Sequence, residues 1–132
     1  MLAAVTRSPG ELVIADVPGP GRARAGHVIV RPEAVGICGS DFHLFSGDVG
    51  ALSGARDFYP RIQGHEVSAV VEDAGDTSQA GDVQEGDRVV AANRTAISAL
   101  FSHHFPLTRA AEAFEFAMSR PPDAIKIVVT VN

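Results

Sequence analysis

The sequence has a single cysteine and no excess of positive charge, so it lacks the features that typify disulfide-linked secreted proteins and nucleic-acid-binding proteins. Cys38 is the single cysteine among 132 residues, so an internal disulfide is excluded. The net charge is −5, which gives a nucleic-acid partner no electrostatic support. No apolar run approaches the roughly 20 residues that span a bilayer. We therefore expect neither a nucleic-acid partner nor a membrane anchor.

The amino terminus also lacks the pattern of a secretion signal. The opening stretch "MLAAVTRSPG" has no basic segment followed by a long apolar one. A chain with one cysteine fits a reducing compartment, where disulfides are rare. From these two absences we expect a cytoplasmic protein.

What the chain does contain is a series of short β-type runs separated by turns. Strands are predicted at residues 2–7, 11–17, 27–36, 62–72, 88–92 and 124–131. These strands do not alternate with helices, so a parallel doubly wound sheet is not expected. The pattern predicts a mainly β fold with some α, namely a partly open antiparallel barrel with one or two peripheral helices.

Two helices are predicted beside these strands. Ser40 is a candidate cap for a short helix through Phe45, which Gly47 would end. Thr108 is a candidate cap for a second helix over residues 109–119. Its apolar stripe is predicted to comprise Ala110, Phe114, Ala117 and Met118.

Two motifs collect side chains that bind metals or move protons: "GICGSDFHLFSG" at residues 36–47 and "GHE" at residues 64–66. Their candidate functional residues are Cys38, Ser40, Asp41, His43, His65 and Glu66. A catalytic zinc takes three protein ligands from thiolate, imidazole and carboxylate groups and keeps a fourth position open. Both motifs together supply all three kinds of ligand, so they favour a zinc site.

The two side chains of the "GHE" motif can bind one metal ion only if the backbone turns at the motif. Adjacent side chains in a regular strand point to opposite faces, so His65 and Glu66 reach one ion only where the backbone bends. Gly64 permits such a bend. Taken singly, Cys38 also fits a small buried side chain and His65 a hydrogen-bonded core residue. Their combination favours the metal site.

These motifs resemble those of a known enzyme family. "GICGSDFHLFSG" and "YPRIQGHEVSAVV" are similar to the catalytic-zinc motifs of the zinc-dependent medium-chain alcohol dehydrogenases, especially the polyol branch that includes sorbitol and threonine dehydrogenases. "GDRVVA", "FPLTRAAEAFEFA" and "IKIVVTV" resemble that family's next strand, closing helix and closing strand. The resemblance implies that residues 1–132 form a single GroES-like domain.

The resemblance implies a zinc ligand set. Cys38 and His65 would bind the metal, and Glu66 would be a third ligand or a nearby carboxylate. Asp41 would orient the His65 ring from behind. From the sequence alone, Asp41 also fits an acid that complements the dipole of the first helical turn.

The resemblance also implies a proton path. Ser40 would hydrogen-bond the substrate hydroxyl, and His43 would carry the proton to solvent. Both residues also have a non-catalytic interpretation: Ser40 fits a helix cap, and His43 fits an exposed polar position on the helix.

The chain departs from the family where a dinucleotide-binding domain is inserted between the strands and the closing helix. The stretch 93–105 is far shorter than the about 30 residues that one βαβ unit needs. No G-x-G-x-x-G follows a strand anywhere in the sequence. We therefore expect no NAD(P) binding. Residues 93–97 are predicted to bridge two parts of one domain, 1–92 and 98–132, and to bring Val90 close to Phe105.

Three functions remain open at this stage. The first is a zinc-binding, alcohol or polyol dehydrogenase-like catalytic domain that does not oxidise alcohols alone, because hydride transfer needs a nicotinamide. The second is a cofactor-independent zinc lyase, isomerase, cyclase or hydrolase with a small-molecule substrate. The third is a non-catalytic binding or assembly module. We also expect self-association through the face that the cofactor domain covers in the family.

Overall fold

The structure is a computed structural model that describes residues 1–48, 59–76, 83–91 and 101–131. The predicted bridge at residues 93–97 lies outside the described residues. The division of one domain into parts 1–92 and 98–132 therefore stays a prediction.

The described residues form short strands and two helices. The strands are β1 (Leu2–Ser8), β2 (Glu11–Asp16), β3 (Ile29–Ile37), β4 (Arg61–Ile62), β5 (Glu66–Asp73), β6 (Arg88–Ala91), β7 (Phe101–Pro106) and β8 (Lys126–Thr130). The helices are α1 (Gly39–Ser46) and α2 (Ala110–Met118), and a 3-10 turn at Leu107–Arg109 precedes α2. Neither described helix has the length and apolar character needed to cross a membrane.

Two open sheets make up the β part. One has the order β2-β1-β4 and the other the order β6-β5-β3-β8-β7. Neighbouring strands are antiparallel except for the parallel pair of β7 and β8. The predicted mainly β, partly open GroES-like architecture with peripheral helices is thus confirmed.

Strand β7 is an element that the sequence did not predict. Its run "FSHHFP" contains two histidines and ends in proline, so it lacks the usual signature of a strand. It pairs with β8 across the intervening helix α2. Ser102 completes this pairing, because its hydroxyl accepts the N–H groups of Ile125 and Lys126 at 2.9 and 3.2 Å.

The order of the five-stranded sheet gives the places of Val90 and Phe105, which were expected to approach each other. Val90 lies on β6 and Phe105 on β7, which are the two outer strands of that sheet. The two residues are therefore not on neighbouring strands of this sheet, and their approach through the bridge stays a prediction. The predicted terminal strand does join the sheet, since β8 lies between β3 and β7.

The core lies where α2 packs on the five-stranded sheet. Its buried members are Ile37, Ala110, Ala113, Phe114, Ala117, Ile127 and Val129. The buried stripe of α2 includes Ala113 in place of the predicted Met118, which is exposed. The predicted Thr108 cap is also wrong, because the 3-10 turn ends at Arg109 and that residue caps α2.

Helix α1 is short, and a helix of this length needs tertiary support in water. The rings of Phe42 and Phe45 contact the Phe114 ring, with centroids 6.3 and 5.3 Å apart. The N–H of Gly10 donates to the Phe45 carbonyl at 2.7 Å, and the Tyr59 hydroxyl donates to the Leu44 carbonyl. As predicted, α1 ends at Gly47, which adopts a left-handed conformation with φ 77°.

The turn between β4 and β5 depends on a glycine. Gly64 has φ +102°, a conformation that side-chain-bearing residues rarely adopt. A Cβ there would lie 2.4 Å from the Cγ1 atom of Val35 on β3. The predicted bend before His65 is therefore present, and both backbone conformation and packing require glycine in it.

Large apolar side chains are exposed on several elements, among them Val90 on β6 and Ile125 just before β8. Such surface is compatible with association. Self-association, a cytoplasmic location and the lack of a nucleic-acid partner nevertheless stay predictions.

Replacing Phe114 with alanine should destabilise the protein strongly. The ring is 4% exposed and supports both helices, so its loss should cost about 3–5 kcal/mol of unfolding free energy. Urea denaturation followed by circular dichroism measures the loss. The control is Glu115→Ala, an exposed position on the same helix, and equal stability of the two variants would contradict this assignment of the core.

Replacing Gly64 with alanine should destabilise the protein by at least about 1–3 kcal/mol, because a strained backbone is added to a collision with Val35. Gly10→Ala is a matched control, since Gly10 also has a positive φ of 77° but a Cβ there meets nothing within 4 Å. Thermal denaturation should show a larger loss for Gly64→Ala than for Gly10→Ala. Equal losses would show that the contact with Val35 is unimportant.

Candidate metal centre

Cys38 occupies the junction between a strand and a helix. Strand β3 ends at Ile37 and α1 begins at Gly39, so Cys38 is the N-cap, with an extended backbone. The Cys38 N–H donates to Oδ2 of Asp41 at 2.9 Å, which satisfies a backbone group at the helix start. The predicted cap at Ser40 is therefore wrong, because the N-cap is Cys38, two residues earlier.

Asp41 connects this helix start to the second motif. Its side chain is 1% exposed, and a buried carboxylate needs partners. One oxygen accepts the Cys38 N–H, and the other, Oδ1, lies 3.5 Å from Nδ1 of His65. The Asp41 carboxylate thus lies between two segments that are distant in the sequence.

The His65 ring lies between a carboxylate and a thiol. Its Nδ1 atom faces Asp41, and its Nε2 atom lies 3.1 Å from Sγ of Cys38. A proton on Nδ1 directed at Asp41 leaves the Nε2 lone pair directed at Cys38, which is the tautomer that a metal at Nε2 requires. The ring is 56% exposed, so solvent and small molecules reach this edge of the site.

The thiol and the imidazole fit a tetrahedral zinc ion. Typical zinc–sulfur and zinc–nitrogen bonds place the two ligand atoms about 3.6 Å apart in a tetrahedron, so a separation of about half an ångström beyond the present one admits the ion. Among the described residues, Cys38, Asp41 and His65 have ligand atoms within 4.8 Å of one another. Asp41 contacts the ring nitrogen turned away from the thiol, which suits an orienting role.

Glu66 is outside that cluster. Its Oε2 atom forms an ion pair with the ammonium group of Lys126 at the start of β8. Both side chains are largely buried, with 28% and 20% of their surfaces exposed. The assignment of Glu66 as a metal ligand stays a prediction.

Ser40 and His43 are both exposed on α1. The Ser40 hydroxyl lies 2.9 Å from Sγ of Cys38, so it is placed beside the candidate metal ligand. The Nδ1 atom of His43 lies 3.6 Å from the carboxylate of Asp48. The proposed relay between Ser40 and His43 stays a prediction.

Lys126 is the site residue that the sequence reasoning missed. It lies in "IKIVVTV", far from both motifs in the sequence, and it is the chain's single lysine. A charged residue inside an otherwise apolar strand is the signal that would have identified it. Its partner was not predictable, because the contact depends on the order of strands in the sheet.

The sequence profile described as the alcohol dehydrogenase GroES-like domain matches residues 24–106 of this chain. L-threonine 3-dehydrogenase of Thermococcus kodakarensis is 38% identical over 79 residues, which cover 60% of this chain and 21% of that protein. Sorbitol dehydrogenase of Ovis aries is 36% identical over 88 residues, which cover 67% and 22%. A zinc-type alcohol dehydrogenase-like protein of Schizosaccharomyces pombe is 40% identical over 94 residues, which cover 70% and 20%.

Solved structures show the same relationship. The alcohol dehydrogenase of Aeropyrum pernix superposes with a TM-score of 0.57 and 28% identity, over 68% of this chain and 25% of that chain. The Haloferax mediterranei glucose dehydrogenase in complex with NADP, Zn and gluconolactone gives 0.52 and 30%, over 68% and 24%.

The chain spans about a fifth of the length of the curated relatives that it matches. The profile nevertheless matches more than half of the chain, and it includes both candidate metal-binding motifs. The chain therefore belongs to the alcohol dehydrogenase GroES-like domain family.

Proposed function

We propose that this chain is a zinc-binding catalytic domain of the alcohol or polyol dehydrogenase type that does not oxidise alcohols by itself. The observation that carries the proposal is the 3.1 Å approach of Cys38 Sγ to His65 Nε2, with the Asp41 carboxylate behind the ring. Relatives named as zinc-type alcohol dehydrogenases support it.

Different residues of the chain would bind the metal and orient its ligands. Cys38 and His65 would hold zinc, and Glu66 is the candidate for a third ligand. Asp41 would keep the His65 ring in the ligating tautomer and orientation. Zinc bound there would polarise a hydroxyl or carbonyl oxygen of the substrate.

Proton transfer would use the exposed surface of α1. The Ser40 hydroxyl lies against the Cys38 thiol, where it can hydrogen-bond a substrate oxygen held at the metal. His43 lies one helical turn further along α1, with its ring 66% exposed, and would exchange the proton with water.

The proposal assigns no nicotinamide site to this sequence. A dinucleotide pyrophosphate needs a glycine-rich loop between a strand and a helix, and the sequence has no such spacing. A polarised carbonyl or alkoxide without a hydride carrier can only be protonated, eliminated or attacked. Any chemistry of the chain alone would therefore be redox-neutral, as in the cofactor-independent zinc enzymes considered above.

Zinc content tests the site directly. Protein purified without chelator should contain close to one zinc per chain by metal analysis, and Cys38→Ser should contain far less, because it loses the sulfur ligand. His27→Ala is the control, since the His27 ring lies at the Ala25 carbonyl, in the loop between β2 and β3. Equal zinc in the native protein and Cys38→Ser would rule out this metal site.

Cofactor titration tests the second half of the proposal. Calorimetry with NAD and with NADP should give no binding heat, and the chain alone should not oxidise alcohols in the presence of either. A zinc titration of the same chelator-treated sample shows that the protein is competent to bind. Clear nicotinamide binding, or oxidation that depends on it, would contradict the proposal.

A further inference from the structure

Strand β7 is an outer strand of the five-stranded sheet and carries no permanent charge. Among the described strands, each of the other outer ones has charged side chains: Arg88 on β6, Glu11 and Asp16 on β2, and Arg61 on β4. The run "FSHHFP" has none. Proteins commonly place charges on exposed edge strands, because an uncharged edge pairs readily with another chain. Strand β7 is the described outer strand without this protection.

The backbone groups of His104 face the outer side of β7. The Thr130 hydroxyl donates to the Phe105 carbonyl at 3.3 Å, so that carbonyl points toward β8. Carbonyls alternate in direction along a strand, so those of His104 and Pro106 point away from β8. Pro106 has no N–H to leave unpaired there, which suits a proline at a sheet edge. No described strand lies on this outer side, so a second strand could pair with His104.

A row of aromatic rings accompanies β7 on the face of the sheet that α2 covers. The centroid of the Phe116 ring lies 4.6 Å from that of His103 and 5.7 Å from that of Phe105. All three side chains are partly exposed. His104 points to the opposite face, where it is exposed and its ring lies against Phe101. A partner strand would therefore cover aromatic surface on one face and meet His104 on the other.

The two ends of β7 differ in the sign of the nearby charge. Close to its start, the Asp123 carboxylate lies 3.7 Å from Nε2 of His103. Close to its end, the Arg109 guanidinium lies over the Phe105 ring, 5.8 Å from the centroid. Arg109 donates to Glu112 through Nε and Nη2, so its Nη1 atom can donate to a second carboxylate. An antiparallel copy of the same strand would bring the acidic end of one chain to the basic end of the other.

We propose that a second copy of this chain pairs with β7 in antiparallel orientation, across a two-fold axis at His104, and so joins the five-stranded sheets of two chains. A two-fold contact needs a surface that is complementary to itself. At the axis the two His104 residues exchange a pair of backbone hydrogen bonds. His103 lies opposite Phe105 of the other copy, since directly opposed residues share a face. Asp123 of each copy then lies close to Arg109 of the other.

The regular part of β7 selects this register. The pairing with β8 is irregular between Phe101 and His103, and a 3-10 turn begins at Leu107. An axis at His104 uses only the regular residues between these two points. An axis one residue earlier would pair Phe105 with Phe101 across the irregularity, and an axis one residue later would pair into the 3-10 turn.

The contact is short, so we expect weak association that depends on protein concentration. Strand β7 has six residues, and only part of it is regular. Interfaces of small area are typically transient. Sedimentation equilibrium of the native protein should therefore give a monomer–dimer dissociation constant between about 1 µM and 1 mM. The inference does not depend on the proposed zinc site.

Charges placed at His104 test the two-fold axis. The variants are His104→Glu and His104→Lys, measured separately and as an equimolar mixture. Each alone should associate about five-fold more weakly than the native protein, because like charges directly opposite each other destabilise a strand pair. The mixture should regain native association, since a heterodimer places opposite charges at the axis. Val90→Glu and Val90→Lys are the controls at an exposed position on the other outer strand, and they should associate like the native protein.

A cross-link gives a second measurement of the same register. Directly opposed residues that exchange hydrogen bonds have Cα atoms about 5.5 Å apart, which a disulfide can bridge. His104→Cys in the Cys38→Ser background should therefore form a covalent dimer under mild oxidation. Val90→Cys in the same background should form far less of it.

Several results would overturn the inference. A native protein that remains a monomer at about 1 mM excludes the contact, and native association in both His104 variants places it elsewhere. A mixture that associates as weakly as its components removes the two-fold axis. Weakened association in the Val90 variants alone assigns the contact to β6. Because none of these results depends on the zinc content of the protein, the proposed function is tested separately.

Discussion

The buried carboxylate of Asp41 is the interaction on which the candidate site depends. It accepts the Cys38 N–H at the start of α1 and faces Nδ1 of His65. A buried carboxylate is costly unless such partners surround it. Asp41 therefore stabilises the arrangement only when the helix start and the β4–β5 turn are both in place, which couples the position of the thiol to that of the imidazole.

Strand β3 supplies the frame for this arrangement. It pairs with β5, which begins directly after His65, and with β8, which begins at Lys126. Its own end delivers Cys38 to α1. Three segments that are remote in the sequence thus converge at one end of one strand. The same strand contributes Ile37 to the core, so the packing that stabilises the fold also fixes the site.

The closing segment, α2 and β8, contributes both to the packing of the fold and to the surroundings of the candidate site. Phe114 of α2 supports the rings of Phe42 and Phe45, which hold the helix that presents the site. Lys126 of β8 supplies the cation next to Glu66. Residues beyond the matched profile therefore contribute to the charge around the candidate metal-binding motifs.

Much of the candidate site could be predicted from the sequence because its determinants are local. The spacing of Cys38 and Asp41 sets the helix start, Gly47 ends that helix, and Gly64 makes the bend before His65. The resemblance to a metalloenzyme family depended on the same short motifs. The cap was misplaced by two residues, since serine is a preferred N-cap residue and cysteine is not.

Only the tertiary structure decided the strand order, the parallel pairing of β7 with β8 and the partner of Glu66. Nothing in "FSHHFP" indicates a strand, because its hydrogen-bonding partner β8 follows only after α2 in the sequence. Nothing in "GHE" indicates Lys126, because the two charges meet only when β3 lies between their strands. Local sequence determines turns and helix ends through backbone conformation and short-range hydrogen bonds. Contacts between distant segments depend on how the whole chain buries its apolar faces.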